Sequence, residues 1–223
     1  MKQKQTGFTL VEIAIVLVII GLLLGGILKG QEMITQAKIK NVVADFSGIS
    51  AAYYGYQDRY RAIPGDDKNA NTRWSSGTAA VAGDGDGVVK GAYNSSTDTD
   101  ESRKWWDHLR RAGFVAGSGY SQPFNAATGM IGVQTGDAGA TVGPALGSDS
   151  SGTGGFSGLI ICSANLPDKI SIAVDTQMDD GTITTGTVRG QLQAAPNPSV
   201  AKQAGTAAYA ETGTNVYTLC RSL

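Results

Sequence analysis

The chain has 223 residues, 41 % of them hydrophobic, 17 % charged and 7 % aromatic, with a formal net charge of −1. That length carries one ordinary domain plus an additional segment, and a near-neutral balance with no dense Lys/Arg block excludes a nucleic-acid binder. Abundant glycine (31 residues) and few aromatics exclude a dense helical bundle and predict turns, short strands and surface loops over the second half.

The chain opens with MKQKQTG, short and basic. From Phe8 to Leu28 the polar side chains are Thr9 and Glu12. A helix of about 21 residues rises roughly 31 Å, the thickness of a bilayer hydrocarbon core. A secretory signal peptide has a shorter apolar region and a small-x-small cleavage site, and the GGILKGQEM that follows here fits that poorly. A plain signal anchor fits the length and flanks, although Lys29, Lys38 and Lys40 beyond the span offset Lys2 and Lys4, so charge barely fixes its orientation.

Neither reading accounts for Glu12. A carboxylate costs up to about 3 kcal/mol at the centre of a membrane helix, and less near its end. A cut between Gly7 and Phe8 creates an α-amino group four residues before Glu12. On a neighbouring copy of the helix, stacked with an axial stagger, that amine can pair with the carboxylate.

At these residues the sequence resembles the type IV pilin and pseudopilin superfamily. GFTLVE matches its leader-cleavage motif: Gly7 before the cut, Phe8 as the new N-terminus, Glu12 as the fifth residue of the mature chain. The resemblance implies cleavage by a membrane aspartyl prepilin peptidase, N-methylation of Phe8 by the same enzyme, and assembly into a helical filament driven by an ATPase elsewhere. It also implies an α+β, pilin-like fold, with a long N-terminal helix packed on a small antiparallel sheet with glycine-rich loops. Many members carry a proline near the end of the apolar stretch. Here Gly21, Gly25, Gly26 and Gly30 stand in that region. Each interior glycine weakens a helix by about 1 kcal/mol relative to alanine, and small residues also favour close helix packing.

Ile39, Val42, Phe46, Ile49, Tyr53, Tyr56, Tyr60 and Ile63 continue one apolar stripe at spacings of three and four, with Lys38, Lys40, Asp45, Asp58 and Arg59 off it. Pro64 and Gly65 end it. The stripe reads as packing against a head domain. The chain therefore divides into a leader (1–7), a membrane-spanning segment (8–28), its amphipathic continuation (29–63) and a globular head (64–223).

Within the head, TDESRKWWDHLRRAGFV reads as a helix, led by Asp98, Asp100 and Glu101 and closed by Arg110 and Arg111. Gly113 is its C-cap, and Trp105, Leu109 and Ala112 its buried face. The glycine-rich stretch 113–158 excludes a regular helix and leaves short strands such as MIGVQ. FSGLIICSA reads as a buried strand carrying Cys162. In NLPDKISIAVDTQMDDG alternation supports a strand, while Asn165 as a cap, Pro167 in the first turn and the Leu166/Ile170/Val174/Met178 spacing favour a short helix. TVRG and NVYTLCR are the remaining strands. YRAIPGDD, WDHLRRAGF and VDTQMDDG with TGTVRG also look, more loosely, like head segments of proteobacterial prepilin-like proteins.

Cys162 and Cys220 are the two cysteines. They read either as unrelated buried thiols or as a disulfide, which requires an oxidising compartment. A periplasmic head, as the resemblance implies, favours the disulfide. No Walker loop, HExxH, GxSxG or Cys/His pair is present, and no enzyme activity is expected. His108, the lone histidine, has no second catalytic group at useful spacing and reads as a surface or packing residue. Asp84 and Asp86, in GDGDG at 83–87, are the metal candidates, because a hard cation wants carboxylates and carbonyls on a glycine-rich turn. Related pseudopilins bind Ca2+ in a head-domain loop, but the EF-hand spacing is absent and a solvated turn is the competing reading. Asp175, Asp179 and Asp180 form a second acidic group, read as a polar helix end entering a turn.

These readings converge on a polymer-forming subunit, processed by prepilin peptidase and held in the inner membrane before joining an extracellular or periplasmic filament through an assembly platform. A pseudopilin of a type II secretion system or a minor, tip-located pilin is the alternative within the class. A membrane-anchored binding or enzymatic periplasmic domain is the alternative outside it.

Overall fold

A computed structural model describes residues 8–140, 143–200, 202 and 208–223. The chain forms two compact units that divide between Lys38 and Ile39. Helix α1 (Leu10–Tyr60) begins in the first unit, and none of the side chains of its apolar window is buried. By length and composition it is able to cross a membrane, as an unbroken apolar surface of this length requires.

The second unit is α+β, with its core built on the α1 stripe. Ile39, Val42, Phe46, Ile49, Ala52, Tyr53 and Tyr56 are buried there. The helix stops at Tyr60, short of the expected Ile63, and Arg61 turns the chain at φ 52. The reason lies ahead of the turn. The ring of Pro64 would clash with the Tyr60 carbonyl if the helix continued, and proline also pushes its predecessor out of the helical region. Gly65 follows at φ 83, where a Cβ would stand 2.3 Å from the Glu101 carbonyl oxygen. Glycine alone fits that approach.

After the single turn α2 (Ala70–Arg73), α3 spans Glu101–Arg111. Gly113, at φ 81, closes it: its N–H reaches the Arg110 carbonyl while the Phe114 N–H reaches that of Leu109, each at 3.0 Å. This is the paired pattern of a Schellman cap. Trp105 and Leu109 are buried as expected, Trp106 and His108 with them, and Ala112 is only half-buried.

Four strands follow: β1 (Ile131–Thr135), β2 (Leu159–Pro167), β3 (Val188–Leu192) and β4 (Val216–Ser222), with α4 (Asp168–Met178) between β2 and β3. All pairings are antiparallel and the order is β1-β2-β4-β3. The last strand is thus central. The stretch that sequence left between strand and helix is both in turn: β2 runs through Pro167 and α4 starts at Asp168. Asn165 is no cap. It sits at the β2 irregularity between Ser163 and Leu166 with φ 55, its Nδ2 donating to the Ala127 carbonyl at 3.0 Å.

Side chains alternate across the sheet. Ile131, Val133, Ile161, Leu166 and Leu219 join the cluster built on α1, α3 and α4. Ile160, Cys162, Ala164 and Cys220 face a second cluster supplied by loops, with Tyr93, Ala145, Leu146 and Val200.

Candidate functional site

At the start of α1, Glu12 Oε2 accepts the Thr9 N–H at 2.8 Å and the Thr9 hydroxyl at 2.7 Å, and the Glu12 N–H reaches Thr9 Oγ1 at 3.3 Å. Thr9 is the residue before the helix and Glu12 its third, so the pair forms a reciprocal capping box. Two amide donors that the first turn leaves orphaned are satisfied, and a carboxylate at a helix N-terminus is favoured by the dipole. Glu12 therefore has a partner within its own chain. Its second oxygen, Oε1, accepts no hydrogen bond among the described residues. Phe8 is exposed beside this box. Gly7, the expected cleavage residue, and the leader 1–7 lie outside the described residues.

Residues 2–28 match the prokaryotic N-terminal methylation motif. The chain carries the class III signal of type IV pilins and pseudopilins. No curated protein and no solved structure matches the chain. A signal of this type implies processing by a prepilin peptidase and assembly into a filament, and it fits membrane anchoring through the apolar helix. It marks a structural, pilin-type protein, a class that is typically non-enzymatic.

In the head of this pilin-like chain, Cys162 and Cys220 are disulfide-bonded. They are direct partners in the β2–β4 register, and both are fully buried. The bond ties the C-terminal strand to the strand that leads into α4.

In the 83–87 loop the main-chain amides face two acids from elsewhere in the head. Gly85 and Gly87 donate to the two oxygens of Asp66 at 2.6 and 2.8 Å, and Asp84 donates to Glu101 at 3.2 Å. The loop's own carboxylates, Asp84 and Asp86, both pair with the Lys90 ammonium, whose pKa they raise. Asp84 also lies close to Asp66 and Glu101, the carboxylate set that could hold a metal here, and Asp86 is not part of that set. Burial raises the pKa of Asp66 and Glu101. Asp175, Asp179 and Asp180 also stand together. Asp175 is a buried latch, accepting the Tyr209 hydroxyl and, at 3.2 Å, the Gly181 N–H. Asp168, two turns earlier on the same face of α4, accepts the Thr212 and Gly213 amides, both at 2.7 Å.

His108 is a packing residue, fully buried. Its Nδ1 accepts the Gly65 N–H at 2.9 Å and its Nε2 lies 2.9 Å from the Val81 carbonyl oxygen. An amide can only donate and a carbonyl only accept, so the neutral Nε2–H tautomer is imposed. The packing alternative for His108 therefore holds, while its two hydrogen bonds leave no signal in spacing because the partners lie 43 and 27 residues away. The capping box, in contrast, has a local signature, Thr-x-x-Glu before an apolar run, that the sequence displays openly.

Proposed function

We propose that the chain is a structural subunit of a type IV pilus-like filament. Its leader is removed after Gly7, Phe8 becomes the N-methylated N-terminus, and the subunit polymerises through the helix that begins at Leu10. The observation that carries this reading is the methylation signal of residues 2–28 running into a helix whose apolar window is unburied among the described residues. Glu12 supports it further. Thr9 occupies one carboxylate oxygen, and the other is free to receive the amine of a neighbouring subunit without dismantling the cap. A buried disulfide agrees with an oxidising, periplasmic location of the head.

Glu12→Val tests the reading. It makes the anchor more apolar and leaves the head untouched, so cleavage and membrane insertion should persist. The incoming amine then has no partner in a low-dielectric surrounding, where an unpaired charge is costly, and incorporation should fall steeply. Sheared filament is measured against cleaved, membrane-inserted subunit, with the mass of the mature N-terminus as a control for processing. Filament yield equal to the parent's would remove Glu12 from the assembly contact. An intact leader on parent chain would remove the subunit reading itself.

A further inference from the structure

A groove of about 520 Å³ opens on the head between the segment after α2, the C-terminal end of α3 and the loop that follows it. Two consecutive arginines reach it. Arg110 gives three of its N–H groups to carbonyls, those of Ala116 at 3.3 Å, Gly119 at 2.6 Å and Ser121 at 2.7 Å. Arg111 pairs with buried Asp107 at 2.6 Å and donates to the Thr78 carbonyl at 2.9 Å. Each guanidinium carries five N–H donors, so both retain donors to spare. The charge balance is equally one-sided. Asp107 offsets Arg111, while the hydrogen-bond partners of Arg110 are all neutral carbonyls. The groove therefore keeps one net positive charge.

The same groove is lined by Ser76, Ser118 and Tyr120. None of their hydroxyls has a hydrogen-bond partner among the described residues, although Tyr120 is half-buried and burial raises its pKa. Two guanidinium groups and three hydroxyls, those of Ser76 and Ser118 exposed, line one concavity of a few hundred cubic ångströms, which has the chemistry of a small-ligand site. One net cation with a rim of hydroxyls selects a ligand bearing one carboxylate and several hydroxyls. We propose that this groove is a binding site for an acidic monosaccharide unit, its carboxylate held by the spare N–H groups of Arg110 and Arg111 and its hydroxyls by Ser76, Ser118 and Tyr120. The site lies wholly in the head.

The test is a titration of the detergent-solubilised full chain with galacturonate, followed by calorimetry, with galactose and inorganic phosphate as comparators. Saturable galacturonate binding, at least about tenfold tighter than either comparator, is expected, since a charge-assisted bidentate contact and the hydroxyl contacts add. Arg110→Gln keeps a donor for the loop carbonyls and removes the charge, and it should weaken galacturonate by about tenfold or more. Ser118→Trp, on the exposed rim, fills the groove without altering either arginine and should abolish binding while the melting temperature is kept. Absence of saturable binding overturns the proposal. So does phosphate binding as tight as galacturonate, which would show a bare anion contact, or unchanged galacturonate affinity in Ser118→Trp.

Discussion

Replacing His108 by phenylalanine isolates one buried hydrogen-bonding group at nearly constant shape. The ring is stacked on Tyr56, with centroids 6.4 Å apart and 12° between planes, and it lies 6.1 Å from Trp74. A phenyl ring preserves that packing. It leaves the Gly65 N–H without an acceptor and the Val81 carbonyl without a donor. The Gly65 N–H is buried, whereas the carbonyl of exposed Val81 can turn to water. An orphaned buried polar group costs about 1–3 kcal/mol, so His108→Phe should lose about 1–3 kcal/mol near neutral pH.

The same substitution should flatten part of the acid response. Burial lowers the pKa of His108, and Asp67 and Asp107 oppose that shift while Lys104 reinforces it. A proton on Nδ1 would set N–H against the Gly65 N–H. The unfolded chain takes up this proton near the ordinary histidine value of about 6.5, whereas the fold resists it. The stabilisation is therefore complete above about pH 6.5 and is lost as pH falls from there through the folded-state value. Each pH unit in that window is worth up to about 1.4 kcal/mol. Urea unfolding of the detergent-solubilised chain, read by tryptophan fluorescence at pH 7 and pH 5, gives the gap between parent and variant at each pH. The gap should narrow at pH 5, by at most about 2 kcal/mol. A variant as stable as the parent at pH 7, or a gap independent of pH, would refute the reasoning.

Two further outcomes concern the head. Cys162→Ala with Cys220→Ala removes a bridge across 58 residues and should cost about 4 kcal/mol by loop-closure entropy, read as a lower urea midpoint; non-reducing peptide mapping that finds free thiols in native protein would void the premise. Lys90→Met leaves Asp84 and Asp86 without their cation, so Ca2+ should raise the melting temperature of this variant more than that of the parent. Equal responses would remove the 83–87 loop as a cation site.

What the sequence displayed, it displayed through local periodicity. The stripe from Ile39 to Tyr56 and the short strands around Cys162 and Cys220 were legible because burial repeats every 3.6 or 2 residues. The turn after Tyr60 is hidden in the sequence, since the stripe continues to look helical up to the proline while the clash acts four residues before it. The central place of β4 was not legible. The place of β4 is fixed by pairing with β3, as near as Leu192–Tyr217, and with β2, as far as Ile160–Ser222, and no local pattern encodes it. GDGDG shows the same limit at a site. The direction of its amides is set by Asp66 and Glu101, which approach only in the folded head and leave no local pattern.

Those two acids belong to a wider pattern in this glycine-rich head, where buried carboxylates gather loops by accepting backbone amides. Their protons answer to two opposed effects. At Asp66, Glu101 and Asp175 burial prevails and the pKa rises. The fold then takes up protons more readily than the unfolded chain, and these three groups gain stability as pH falls through their folded values towards the ordinary carboxylate range. At Asp67 burial also pushes upward, but Tyr56, Arg73 and the Asn69 amide outweigh it, and at Asp168 the amides of Gly213, Lys169 and Thr212 do the same. Stability from this second pair is present above the ordinary carboxylate range and is lost as pH falls through their lowered values. On mild acidification, His108 therefore destabilises the head while Asp66, Glu101 and Asp175 stabilise it. The two signs oppose one another, so the stability curve of the parent chain alone hides each of these groups. Only the difference between chains that differ at one of them, with the others unchanged, exposes the sign of each.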